Sequence, residues 1–144
     1  MYQKQSCLPF CNLYQALLVF MTGIFFTGCA SQNVSQVEIT GQGLVDKLKS
    51  GWQPTILDVR SSMEYESGHV PGARNLSFWT PIFSSSEIPA EPGIPVVIYC
   101  EHGPRAYIAA YGLRKAGFQE VFYLTGHMSQ WRKDGLPVEK PISE

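Results

Sequence analysis

Apolar and polar positions come in alternating blocks along this chain, and the blocks read as strands and helices in turn. Val37-Glu38-Ile39 suits a brief strand. Thr40 stands where a helix cap is wanted, and Leu44, Val45 and Leu48 follow as one apolar stripe at helical spacing before Ser50-Gly51 ends it. Thr55 to Val59, bounded by Pro54, reads as a second strand. Ser61 and Glu64 have capping-box spacing for a short helix reaching Ser67, stopped by Gly68. Pro71-Gly72 then turns the chain into a third strand, Ala73 to Leu76. Val96-Val97-Ile98-Tyr99 is apolar without interruption, as a strand buried on both faces should be. The next helix opens near Pro104, whose missing N–H has no intrahelical partner in a first turn anyway. Ala106, Ala109, Ala110, Leu113 and Ala116 give that helix a small-residue face, and Gly117 ends it. Glu120 to Leu124 is another strand, and Gly126 to Asp134 a last short helix anchored by Met128 and Trp131. One region breaks the rhythm. Between Phe78 and Pro95, four prolines (81, 89, 92 and 95) and the run Ser84-Ser85-Ser86 predict a loop with at most a short helical turn. Its Phe78, Trp79 and Phe83 are expected to cover the core rather than wall a site. Strand–helix alternation with crossover-length connections predicts one α/β domain with a mainly parallel sheet.

The front of the chain follows a different pattern. After Lys4 no charged residue occurs until Glu38, and Leu13 to Phe26 is almost wholly apolar, the layout of a signal peptide. Phe26-Thr27-Gly28-Cys29-Ala30-Ser31 resembles the bacterial lipobox, with Phe26 where an aliphatic residue is usual. That resemblance implies cleavage before Cys29 and lipidation of Cys29. With Ala30 rather than Asp next, it also implies an anchor on the periplasmic face of the outer membrane. The alternative is an uncleaved inner-membrane anchor, since Leu13 to Ala30 just meets the roughly 17–25 residues a spanning helix needs. The expected division is a signal over 1–28, a polar tether over 29–36, one domain over 37–138 and a tail over 139–144.

Charge and cysteine usage narrow the possible functions. Eleven Lys and Arg stand against 12 Asp and Glu, a net charge of −1, with no basic block. A nucleic-acid partner and a polybasic membrane patch are both disfavoured. Cys7 and Cys11 would leave with the signal and Cys29 would carry lipid, so Cys100 is left as the sole free thiol. No CxxC pair exists, which excludes a dithiol oxidoreductase. Three scattered histidines show no metal-ligand spacing, and neither a metal nor another cofactor is expected.

Cys100 ends the most apolar strand, and Cys-Glu-His-Gly-Pro-Arg carries the chain into the next helix. Open α/β sheets place ligands at the carboxyl ends of their strands, and backbone N–H groups there stabilise negative charge. Such a thiol is expected to ionise more readily than a free one. Gly103 permits a sharp turn that aims several N–H groups inward as a nest for an anion, and Arg105 adds a permanent charge with forked donors. Pro104 supplies no N–H. Against the alternative of a small buried hydrophobe, these neighbours favour a nucleophile.

Three ordered segments together resemble the rhodanese (sulfurtransferase) family. Asp58-Val59-Arg60, Glu64-Tyr65 and Gly68 to Ala73 (GHVPGA) are similar to its N-terminal signature, and Cys100 to Arg105 to its CxxGxR active-site loop. Leu124 to Trp131 (LTGHMSQW) is similar to its late Gly-Gly-Met-x-x-Trp element, with His127 in place of the second glycine. The resemblance implies a single rhodanese-like α/β domain with a central five-stranded, mainly parallel sheet flanked by helices, and a persulfide intermediate on Cys100. Its implied partners are a small sulfur-donor anion such as thiosulfate or polysulfide, and a thiophilic acceptor: cyanide, a small thiol or a protein thiol. Cysteine-dependent phosphatases place five residues between Cys and Arg; four intervene here, a smaller loop that suits one sulfur atom.

The remaining site residues carry expected roles. Glu101 and His102 are expected to point towards the mouth, Glu101 disfavouring a doubly charged donor and His102 either assisting protonation or facing solvent. Arg105 is expected to support the loop and hold the anionic donor, unless an acidic neighbour on the fold takes it. Asp58, Arg60 and His69 are expected to support the segment beneath the site, and Arg74 to lie at a solvated strand end. The rival function is a non-catalytic rhodanese-like module that docks a partner or senses sulfur species at the cell envelope.

Overall fold

The computed structural model describes residues 37–140 of the 144-residue chain. The signal-like segment, the lipidation motif at Cys29 and the last four residues lie outside them. Five strands form one sheet: β1 (Val37–Ile39), β2 (Thr55–Asp58), β3 (Arg74–Asn75), β4 (Val96–Tyr99) and β5 (Val121–Leu124). Their order is β1-β5-β4-β2-β3 and every pairing is parallel, so β4 is the central strand. Helices α1 (Gly41–Lys49), α2 (Ser62–Glu66), α3 (Thr80–Phe83) and α4 (Pro104–Lys115) lie in the connections, with a 3-10 turn at Ser85–Glu87, and α5 (His127–Lys133) follows the last strand.

Local chemistry sets the helix starts. Thr40 accepts the Gly43 N–H and caps α1. Ser61 and Glu64 form a reciprocal capping box on α2. At α4 no side-chain cap exists; Gly103 precedes Pro104 at φ +120, a conformation only glycine adopts without strain.

The sheet is covered on both faces, which is why β4 has no polar alternation. Val96 and Ile98 join Leu57, Ala106, Ala109, Ala110 and Leu113 in the core under α4. Val97 and Tyr99 join Leu44, Ile56, Met128 and Trp131 in the core under α1 and α5. The alanine face of α4 sits flat on the sheet, and Gly112 lets α3 press on its outer side. A β-carbon at Gly112 would lie 2.6 Å from the Pro81 carbonyl carbon and 2.7 Å from its oxygen.

The Phe78–Pro95 region carries more structure than its prolines predict, and less of it is buried. Pro81 occupies the first turn of α3, where it is favoured rather than disruptive. Phe78 packs against the core, but Trp79 and Phe83 are 48% and 77% exposed. The expectation that all three aromatics cover the core is therefore corrected. The buried face of this segment is supplied by Pro81 and Ile88.

Candidate active site

The site is assembled from the carboxyl ends of three adjacent strands. In register, Asp58 pairs with Tyr99 and Ile98 with Tyr123. Two residues further on, Arg60 comes beside Glu101, and the turn after β5 brings His127 over Cys100. The six-residue loop Cys100 to Arg105 closes the space between them.

Cys100 is 1% exposed, so its sulfur lies beneath its own loop rather than at an open mouth. It is the one free cysteine among the described residues. The Gly103 N–H donates to Sγ over 3.0 Å. The loop is also gripped from α5: the Met128 and Ser129 N–H groups donate to the Cys100 and Glu101 carbonyls over 3.0 and 3.3 Å. The start of the loop is thus fixed by α5, and Gly103 is tied back to it through the Cys100 sulfur.

Arg105 does not aim its fork at the sulfur. Its Nη1 and Nη2 donate to the two carboxylate oxygens of Glu64 over 2.7 and 2.8 Å. Of the two expected alternatives for Arg105, the structure shows the acidic neighbour. Hydrogen bonding to Glu64, opposed by burial, raises the Arg105 pKa, with smaller contributions from the nearby Cys100 sulfur. Glu64 is held well below the usual carboxylate range, first by the Arg105 guanidinium, against burial, and then by Ser61. One carboxylate therefore caps α2 and fastens the active loop to it.

The sign of the resulting pH dependence follows from that depression. The Glu64–Arg105 pair stabilises the fold fully above pH 4.5, the ordinary Glu64 value, and loses this contribution as the pH falls further and the carboxylate protonates. Both side chains are about one-third exposed, so the pair contributes on the order of 1 kcal/mol. Thermal denaturation from pH 3 to 7 should show the slope below pH 4.5 in the wild type and a reduced slope in Glu64→Gln. Equal slopes would deny the pair its role.

Asp58 and Arg60 lie under the loop, Arg60 reaching Glu101, whereas the contacts of His69 run to Tyr65 and Glu139. Asp58 and Arg60 are 0% and 2% exposed. Arg60 Nη2 donates to Asp58 Oδ2 over 2.6 Å and to the Gly68 carbonyl over 2.9 Å, and Nε spans both Asp58 oxygens over 3.0 Å. Burial opposes the Arg60 charge, but Asp58, with Tyr99 and Glu101, raises its pKa on balance. Burial also raises the Tyr99 pKa, leaving a neutral phenol whose oxygen accepts the Val70 N–H. His69 stacks on Tyr65 at 3.7 Å, and its Nδ1 is 2.9 Å from the Tyr65 carbonyl.

Glu101 departs from expectation. Its carboxylate turns sideways, 3.4 Å from Arg60 Nη1 on one oxygen and bonded to Arg132 on the other. Two guanidinium groups neutralise it, so it presents no free negative charge to repel a dianionic donor. Sequence alone cannot reveal this, because Arg132 is 31 residues away. His102 is exposed, and Arg74 lies on the surface with Nη1 on the Pro89 carbonyl.

His127 is the residue that sequence reasoning passed over, noting it only as a substitute for a glycine. It is buried, it carries φ +54 (the one non-glycine among the described residues with positive φ), and its Nδ1 accepts the Cys100 N–H over a long 3.4 Å. Burial chiefly lowers its pKa below the usual 6.5, His102 adding to this and Glu38 opposing it, so the ring is neutral at physiological pH. Two hollows flank the loop. One is lined by Glu38, His102, Tyr107, Thr125 and His127 among others, the other by Arg60, Ser61, Ser62, Asn75, Ser77, Phe78 and Arg105. No group of three or more His, Cys, Asp or Glu suited to a metal ion occurs among the described residues.

The fold is thus a parallel α/β domain with a cysteine gripped in the short loop between the central strand and its helix. The family model for the rhodanese-like domain matches residues 42–134, and the chain belongs to that family, one of sulfur transfer. It is 33% identical over 104 residues to a sulfurtransferase of Allochromatium vinosum, covering 72% of this chain and 95% of that protein. Among solved structures, the Alr3790 protein from Anabaena superposes with a TM-score of 0.64 at 30% identity, covering 73% of this chain and 94% of that one. RPA3614 from Rhodopseudomonas palustris, described as a possible tyrosine phosphatase, gives 0.62 at 28% identity, covering 74% and 87%.

Proposed function

We propose that this protein moves a sulfane sulfur from an anionic donor to a thiophilic acceptor through a persulfide on Cys100. The observation that carries this reading is the Gly103 N–H aimed at the Cys100 sulfur, in a loop fastened to α2 through the Arg105 side chain and to α5 through its backbone. Cys100 thiolate attacks the outer sulfur of a donor such as thiosulfate. A new S–S bond forms, the donor S–S bond breaks, and sulfite leaves with that electron pair. Cyanide or a thiolate then takes the outer sulfur, and Cys100 departs as thiolate, completing a covalent ping-pong cycle. Backbone donors fixed before the reaction stabilise the anion without reorganising.

The pairing of Glu101 removes the electrostatic objection to thiosulfate, and Ser61, Ser62, Asn75 and Ser77 line a polar approach on the side of Arg105. Because Cys100 is covered, the donor reaches it only when the rim of the loop shifts. The lipobox-like segment around Cys29 supports a place at the bacterial cell envelope as part of the same proposal; among the described residues no helix is long and apolar enough to cross a membrane.

The experiment is to incubate the full-length protein with thiosulfate, or with polysulfide, and cyanide. Thiocyanate should accumulate, and peptide mapping without acceptor should find one added sulfur on Cys100. A Cys100 that gains no sulfur from any donor and resists alkylation in the folded protein would favour the non-catalytic binding module.

A further inference from the structure

Two positions of the loop contribute no free backbone donor to a second sulfur atom. Gly103 N–H is already directed at the inner sulfur and Pro104 has no N–H, while Arg105 is held to Glu64 through one hydrogen on each terminal nitrogen. A persulfide anion carries its charge on the outer sulfur and needs a further donor there.

His127 stands over the same loop from the opposite side. Its Nδ1 accepts the Cys100 N–H, so the proton of the neutral ring lies on Nε2. Nε2 approaches the loop closely, 3.1 Å from the point a β-carbon on Gly103 would occupy. It has no hydrogen-bond partner of its own among the described residues. Nor is it cut off from solvent: the buried side-chain polar atom without a partner there is Arg114 Nε, and His127 lines the hollow of about 230 Å³ with His102, Tyr107 and Thr125. The backbone is strained to achieve this, His127 at φ +54 following Gly126 at φ +68. Two consecutive left-handed residues swing the imidazole onto the loop, and such strain persists only where the surroundings enforce it.

We infer that His127 Nε2–H donates to the outer sulfur of the Cys100 persulfide, taking the place of the donor that Pro104 cannot supply. This rests on the sulfur-transfer reading. His127 keeps its proton throughout: it stabilises the anion as it forms, and it stays in place when the acceptor thiolate takes the outer sulfur and Cys100 leaves as thiolate.

Two substitutions separate this role from mere support of the loop. Asn tolerates left-handed φ, and its Oδ1 stands where Nδ1 does, but it has nothing at the place of Nε2. Gln reaches that place with an amide donor. The full-length protein is loaded with thiosulfate or polysulfide, freed of donor, and followed by peptide mapping that separates Cys100 from Cys7, Cys11 and Cys29. His127→Asn should lose the added sulfur about tenfold faster and form it with a kcat about tenfold lower at little-changed KM, as for loss of one hydrogen bond to a charged group. His127→Gln should recover most of both, and the wild-type Nε2 nitrogen resonance should move on persulfidation. A His127→Asn protein with wild-type persulfide lifetime and kcat overturns the inference, as does a Gln variant no better than Asn. A wild type that never gains sulfur on Cys100 overturns the sulfur-transfer reading as well, which is a different result from normal loading with an indifferent His127.

Discussion

Cys100→Ser should form no measurable thiocyanate from thiosulfate and cyanide, a loss of at least about a thousandfold. An alkoxide is scarcely formed at neutral pH, and an oxygen nucleophile does not yield a persulfide that an acceptor thiolate can discharge. The fold should survive. Serine is slightly smaller, and its hydroxyl oxygen can accept the Gly103 N–H that now points at Sγ. The thermal midpoint should therefore stay within a few degrees of the wild type while turnover vanishes, and that separation is the useful measurement. Turnover that persists in Cys100→Ser would remove the central residue of the proposed function and direct attention to Cys7, Cys11 or Cys29.

The second large effect lies beneath the loop. Asp58→Ala should destabilise the protein by about 3–5 kcal/mol, because it leaves the Arg60 charge buried without its main partner. Asp58 accepts from Arg60 Nε and Nη2 and from the Arg60 backbone N–H over 3.0 Å, so one carboxylate orders both the side chain and the chain after β2. Arg60 in turn holds the Gly68 carbonyl and reaches Glu101, so the damage should spread to the loop. Denaturant unfolding of Asp58→Ala, Arg60→Ala and the double variant checks this. The double variant should cost clearly less than the two singles together, because removing both partners leaves no buried unpaired charge. Strict additivity would mean that the two residues act independently of each other.

The sequence and the structure agree where short-range chemistry decides. Thr40, the Ser61–Glu64 capping box and Pro104 mark helix starts through contacts within three residues, so their meaning is local. Val96 to Tyr99 reads as a doubly buried strand because no polar residue interrupts it, and the structure buries all four. Disagreement begins where a residue's partner is distant. Glu64 reads as a cap, and it is one, but it also pairs with Arg105, 41 residues on. Glu101 reads as a free charge at the mouth until Arg60 and Arg132 converge on it. Trp79 and Phe83 read as core because they are aromatic, yet the Gly112–Pro81 contact orients α3 so that they face outward.

By itself, then, the amino-acid order determined the elements, the all-important thiol at the end of the most apolar strand, and the turn that glycine alone permits beside it. These follow from propensity, capping and backbone sterics, which act between near neighbours. The parallel order of the strands decided everything that depends on which charge meets which: the neutralised Glu101, the occupied fork of Arg105, the cover over Cys100 and the imidazole above the loop. Electrostatic pairing and burial depend on distance in space. Only the folded sheet brings Arg60 and Arg132 to Glu101, and His127 to Cys100.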